Sequence, residues 1–231
     1  MAKINKRELT RLEIVQQACR CFLEQGYTET PIKAICKELE MSPGNVTFYF
    51  PTKEHLLAEL VELLCHFQRK LMDEEANEGI SSIMALCLEL TTMASACETS
   101  PVALDFYRCA YTSPLCLEII RKNDMQRAKE VFRQYRPDWT DDQFAEAEIL
   151  VSGIEFATLT SVGGAVSLQT RIAGALEQIL EIYGVSEELR KQKIERVFQK
   201  HYHELGGKVL EAFKTYVEEA NEHALQALLK R

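Results

Sequence analysis

The chain has 231 residues, 46% of them hydrophobic, enough for a sizeable core, and a formal net charge of −8. Apolar residues recur at three- and four-residue spacing, with almost no period-two alternation, only six prolines and ten glycines, and no low-complexity run. That pattern excludes a β-rich or fibrous chain and predicts an all-α fold.

Met1–Leu9 is polar and basic with no apolar h-region, and no uncharged apolar run reaches eighteen residues. The expectation is a cytoplasmic chain with no signal peptide and no membrane span. The eight cysteines include no CxxC pair and fall mostly at core-like helical positions, as buried free thiols do in a reducing compartment. Charge is uneven. Residues 1–55 hold eight basic and seven acidic side chains, and the remainder holds 19 and 28. A near-neutral head on an acidic body suits a protein whose head alone meets phosphate.

A first helix is predicted over Glu8–Gln25, with Leu12, Val15, Cys19, Phe22 and Leu23 as its apolar stripe. Gly26 supplies the left-handed residue that ends it, and Tyr27 can fold back on Phe22. Thr30 as N-cap and Pro31 at the first helical position open a second helix that buries Ile32, Ile35, Cys36 and Leu39. After a turn at Glu40-Met41, Ser42-Pro43 repeats that start for a short third helix, Pro43–Tyr49, which Pro51 stops. Thr52 caps a fourth helix over Lys53–Asn77, which carries the head into the body with no flexible linker. Beyond Gly79 the predicted helices are Ser81–Cys97, Pro101–Ala110, Pro114–Gln134, Asp141–Val162, Leu168–Tyr183, Ser186–Glu204 and Lys208–Lys230. Prolines and glycines, the Gly206-Gly207 pair among them, are expected to punctuate them.

Thr30–Phe50 has the layout of a helix-turn-helix, two short helices with the second exposed for the major groove. Ile32, Ile35, Cys36, Leu39, Met41 and Val46 pack the pair, leaving Ser42, Pro43, Asn45, Thr47 and Phe48 outward. That uncharged face suits base edges: Asn pairs with adenine, and Thr or Phe touches a thymine methyl. Gly44 lets the helix start approach the backbone. Lys53 is a cation at a helix N-terminus, unfavourable unless an anion sits there, and a phosphate held with the Tyr49 hydroxyl would be that anion.

The stretch "IVQQACRCFLEQGYTETPIKAICKELEMSPGNVTFYFPTKEHLL" resembles the N-terminal domain of the tetracycline-repressor (TetR) family. The resemblance rests on Phe22–Tyr27, Thr30, the "ICKEL" helix, Ser42-x-Gly44, the aromatic run Phe48–Phe50 and Lys53-x-x-Leu56, over about Glu8–Leu60. It implies a helix-turn-helix at Pro31–Phe50 with Pro43–Tyr49 as recognition helix, and phosphate contacts from Thr30, Tyr49 and Lys53. It also implies a homodimer on an operator in double-stranded DNA, and a larger helical domain whose small-molecule effector releases the DNA. The expected domains are therefore residues 1–55 for DNA and 56–231 for ligand binding and dimerisation. The family usually has glycine where Glu40 stands and tyrosine where Thr47 stands, so turn shape and operator preference are this chain's own.

In the body, Asp141–Val162 is apolar or small on nearly every side, and Leu168–Tyr183 has an apolar stripe. Val151, Ile154, Thr158, Ile172, Leu176, Ile179 and Tyr183 are the expected dimer contacts, the alternative being an internal core pair. Glu155, a lone acid in that apolar helix, either contacts a ligand or pairs with Arg171. Phe106, Tyr107, Tyr111 and Trp139 line a pocket or fill the core. The last helix carries a heptad-like series from Leu210 through Phe213, Val217, Ala220, Ala224 and Ala227, expected to pack on the body or a partner.

No cofactor is expected, nor a metal, since His201 and His203 point apart on a helix. No Gly-rich phosphate loop, zinc signature or nucleophile triad marks an enzyme. The expected function is a ligand-responsive transcriptional regulator, of the repressor type by family habit. A helical protein-binding adaptor is the rival, and the lack of acidic residues between Met41 and Thr52 weighs against it.

Overall fold

The computed structural model describes residues 6–77 and 81–229. Met1–Asn5, Gly79, Lys230 and the side chains of Ala224 and Ala227, all used in the sequence reading, lie outside what is described. Among the described residues there are eleven helices and no strand. They are α1 Lys6–Gln25, α2 Ile32–Glu38, α3 Pro43–Tyr49, α4 Lys53–Asn77, α5 Ser82–Thr99, α6 Pro101–Thr112, α7 Pro114–Phe132, α8 Asp141–Thr160, α9 Leu168–Ile182, α10 Glu187–Phe198 and α11 Tyr202–Leu229. None of them is long and apolar enough to cross a membrane.

Explicit caps set the boundaries. The hydroxyls of Ser42, Ser81, Ser100, Ser113 and Ser167 accept backbone N–H groups at the starts of α3, α5, α6, α7 and α9. Thr140 and Gln143 form a reciprocal capping box on α8. Each cap is worth about 1 kcal/mol, and proline at the first position of α3, α6 and α7 costs nothing because its missing N–H is an orphan there.

The head packs on Ile14, Phe22, Ile35, Val46 and Phe50, all at most 4% exposed, against Leu56, Leu57 and Leu60 of α4. The α2–α3 turn places Glu40 at φ 53°, in the left-handed region. There a side chain costs about 1–2 kcal/mol. Gly26, at φ 94°, ends α1, and Tyr27 packs edge-on against Phe22 at 4.9 Å.

Two expectations fail at the level of helices. Gly206-Gly207 does not break the chain: α11 runs straight through it. A Cβ on Gly206 would meet Ser95 at 2.8 Å, so this glycine lets α11 lie close on α5. The second failure is Thr30. The helix begins at Ile32 after Pro31, and the buried Thr30 hydroxyl donates to the Gly26 carbonyl at 2.6 Å, where it caps nothing.

The last helix also reaches the head. Asn221 donates from Nδ2 to the Leu12 carbonyl at 2.9 Å, Arg20 pairs with Glu218 at 2.7 Å, and Lys214 with Glu24 at 2.7 Å. So α4 and α11 both tie head to body.

Candidate functional site

The exposed face of α3 is as the pattern requires. Ser42, Pro43, Gly44, Asn45, Thr47 and Phe48 are exposed, Phe48 at 67%, while Val46 is fully buried. A buried Val46 and Phe50 fix the helix on the head, so the outward side chains are presented from a rigid support. The Arg7 guanidinium lies 5.3 Å from the Phe48 ring centroid, and Arg11 is placed likewise over Phe50. The Arg7 position was not singled out by sequence. Its only signal was a basic residue in the first turn of α1. Pro31, Lys33 and Lys37 are also exposed.

The expected phosphate contacts are redistributed. Lys53 Nζ donates to the carbonyls of Tyr27 at 2.7 Å, Thr30 at 3.0 Å and Thr28 at 3.4 Å. It also sits 4.2 Å from the Tyr27 ring centroid. Three donors and three carbonyls leave the ammonium satisfied inside the α1–α2 loop, and burial pulls its pKa down. The cation at the start of α4 is therefore explained by loop carbonyls, and needs no external anion. Thr30, with its hydroxyl turned inward, offers no side-chain contact to a phosphate. Tyr49 remains half-buried beside Phe48 at 5.2 Å.

The body contains two cavities of note. One, of about 50 Å³, lies among α5, α7, α8 and α9 and is lined by four carboxylates, Glu89, Asp124, Glu148 and Glu155, with Arg127. The other, of about 200 Å³, is mainly apolar and lies among α4, α5, α6 and α11, lined by Leu64, Phe67, Leu88, Met93, Tyr107 and Val209 among others.

Of the four expected ligand residues, Glu155 and Tyr107 each line one of these cavities, and Phe106 and Tyr111 line neither. Glu155 lines the first cavity and accepts a hydrogen bond from the Tyr111 hydroxyl at 2.9 Å. Its alternative partner, Arg171, pairs instead with Glu98 at 2.7 Å. Tyr107 lines the second cavity. Phe106 lines neither of these two and is core, packed against Tyr107 and Phe213. Trp139 packs edge-on against Phe144 at 5.1 Å.

The missed residue is Glu148. It is 2% exposed, its Oε1 accepts from the Tyr183 hydroxyl, and its Oε2 has no partner among the described residues. An orphaned buried acceptor costs about 1–3 kcal/mol. Burial, then the charge of Asp124, pushes Glu148 up to about 8, and burial raises Glu155 as well.

The expected dimer contacts need correction. Ile172, Leu176, Val151, Thr158 and Tyr183 are at most 5% exposed within one chain, and Ile154 and Ile179 are partly buried. These residues hold α8 and α9 against α5 and α7; they are the internal core pair. The outward face of α8 is instead Ile149 at 54%, Leu150 at 56%, Gly153 and Ala157.

All eight cysteines are free, and burial pushes the Cys19 thiol up to about 12. Among the described residues no group of three His, Cys, Asp or Glu side chains could hold a metal ion.

With this geometry in place, the all-helical body and the helix-turn-helix head define the class: a regulator-like architecture with its candidate interface on α3. Residues 14–60 match the family described as "Bacterial regulatory proteins, tetR family". A relative from Bacillus subtilis (strain 168), the uncharacterized HTH-type transcriptional regulator YuxN, is 38% identical over 48 residues, 21% of this chain. The match spans only 16% of that relative's length. Among solved structures, the TetR family protein CprB from S. coelicolor A3(2) is 24% identical, with 84% of this chain and 99% of that one covered at a TM-score of 0.45. A gamma-butyrolactone receptor (ArpA-like protein) is 21% identical, with 89% and 99% covered at a TM-score of 0.42.

Proposed function

We propose that the protein is a transcriptional regulator that binds a palindromic operator in double-stranded DNA as a homodimer and is released by a small molecule. The observation that carries this reading is the exposed, uncharged face of α3, Asn45, Thr47 and Phe48, held on the buried Val46 and Phe50. A solvated surface helix ordinarily carries charge, and base edges in the major groove reward amide, hydroxyl and apolar groups. Ser42, Pro43 and Gly44 bring the start of α3 close to the backbone, with Pro31 at the head of α2. Phosphates are met by Arg7, Lys33, Lys37 and the Tyr49 hydroxyl, with Lys53 and Thr30 shaping the loop behind them.

The proposed domains are residues 1–55 for DNA and 56–231 for effector and dimerisation. The outward face of α8, Ile149, Leu150, Gly153 and Ala157, supplies the self-complementary surface, because twofold pairing needs an apolar patch that one chain leaves uncovered.

The reading is tested by selecting bound duplexes from a random library and measuring Asn45→Ala on the selected site. Asn45→Ala should change the preferred sequence while keeping nonspecific binding. Selection that yields no enriched duplex, with the protein folded, would reject the DNA-binding reading in favour of a protein-binding adaptor.

A further inference from the structure

The carboxylate-lined cavity is inconsistent with a purely structural core. Four acids converge on it, and Arg127 is committed to two of them, pairing with Glu89 at 2.7 Å and with Asp124. Among the described residues, Glu148 and Glu155 accept hydrogen bonds from phenols, the hydroxyls of Tyr183 and Tyr111. They stand seven residues apart on α8, so they share a face, about 10 Å apart along the axis. Glu148 is the second observation the cluster needs: it lines the cavity, is 98% buried, and its Oε2 is unpartnered among the described residues. Both phenols donate to carboxylate oxygen, so what the site lacks is a further donor, and one that brings positive charge.

Deepening the effector part of the regulatory reading and resting on it, we propose that this cavity takes the protonated nitrogen of a small aliphatic amine, bound by Glu148 and Glu155. Anionic ligands are repelled by the same acids. About 50 Å³ holds a few waters, which matches a primary ammonium and short methylene segment, and Leu90, Val151, Leu176 and Leu180 supply the apolar wall.

Proton linkage follows. Glu148 is pushed up to about 8, facing Glu155 on its own helix, Glu89 on α5, Asp124, Arg121 and Arg127 on α7, and Tyr183 after α9. At pH 7 it is mostly protonated, and an arriving ammonium expels that proton. Affinity therefore rises as pH rises toward 8.

The test is calorimetry on the full chain with 1,4-diaminobutane and 1-aminobutane at millimolar concentration, and 1-butanol as the neutral counterpart. The amines should bind, with heats that depend on buffer ionisation and report at least about one proton released at pH 7. Affinity should rise at least about tenfold from pH 6 to 7. Glu148→Gln, which preserves shape and the Tyr183 hydrogen bond, should lower amine affinity at least tenfold with unchanged helical content. Glu155→Gln supplies an independent variant with the same expected loss. Absent amine binding, equal binding of 1-butanol, no proton release, or Glu148→Gln and Glu155→Gln binding like the parent would each overturn the proposal. Operator binding is measured separately: operator bound without any amine heat rejects the amine alone, and amine bound without operator rejects the regulatory reading.

Discussion

Asp105 of α6 accepts two hydrogen bonds from Thr28 in the loop that ends α1, one from its backbone N–H at 2.8 Å and one from its hydroxyl. The same carboxylate lies 3.2 Å from where a Cβ on Gly26 would sit. One acid of the body thus holds the loop that Lys53 clamps from the other side through its carbonyls. Hydrogen bonds to a charged acceptor contribute about 1.5–3 kcal/mol. Asp105→Ala should lower stability by about 1–2 kcal/mol in urea titration. In a double-mutant cycle with Thr28→Val, the coupling should reach about 1 kcal/mol. Full additivity would show that this contact does not join head to body.

The satisfied ammonium of Lys53 makes a specific prediction about salt. Each phosphate contact adds about 0.9 to the slope of log affinity against log salt. Lys53→Met should destabilise the head by about 2 kcal/mol and weaken operator binding, yet leave the salt slope unchanged. Arg7→Gln and Lys33→Gln should each reduce the slope by about 1 per subunit without loss of stability. Gel-shift titrations across salt concentration separate these outcomes. A lower slope for Lys53→Met would return the phosphate to that lysine.

Much of the head was legible because its boundaries are chemically explicit. Ser42-Pro43 and Thr52 announce α3 and α4, and Gly26 announces the end of α1. At Glu40 the sequence suggested a turn of different shape, whereas the residue keeps the left-handed conformation at φ 53° despite its side chain. The partner of Lys53 was not legible: a lysine at a helix start looks the same whether its ammonium meets a phosphate or three carbonyls 23 to 26 residues earlier. In the body, α8 is apolar on nearly every side, so periodicity could not say that Val151 faces inward while Ile149 and Leu150 face out. Glu148 was hidden for a related reason. It follows Glu146 at a spacing that reads as surface charge, and only the packing of α7 and α9 buries it.

That reassignment of faces separates two sets of charge substitutions. Ile172 and Leu176 are fully or almost fully buried within one chain, so Ile172→Glu and Leu176→Glu should unfold the body. Ile149→Glu and Leu150→Glu fall on the uncovered face of α8. They should keep native helical content and give monomers that no longer bind the operator. Circular dichroism and sedimentation velocity read the two properties independently. Folded monomers from Ile172→Glu, or an unchanged dimer from Ile149→Glu with Leu150→Glu, would contradict this division.

The buried acids also set how stability varies with pH. Glu148 carries a folded-state value of about 8, above its ordinary value of 4.5, with burial as the leading cause and Asp124 next. Glu155 is raised in the same direction, by burial first. Between the unfolded value and about 8 the folded chain therefore binds more protons than the unfolded one, and stability falls as pH rises through that window. Below it Glu148 is protonated in both states, and above about 8 it is ionised in both, so its contribution levels off at each end. Arg127, Arg121 and the Tyr183 hydroxyl oppose the effect without removing it, since they favour the ionised form. Glu148→Gln cannot ionise and retains an oxygen for the Tyr183 hydroxyl, so the fall in stability between pH 5 and 8 should become shallower. At pH 8.5 the variant should exceed the parent by about 1 kcal/mol or more, whereas at pH 5 the two should nearly coincide. Urea denaturation across this range checks the sign directly: a parent more stable than Glu148→Gln at pH 8.5 would mean that the ionised carboxylate is better satisfied in the fold than its unpartnered Oε2 indicates.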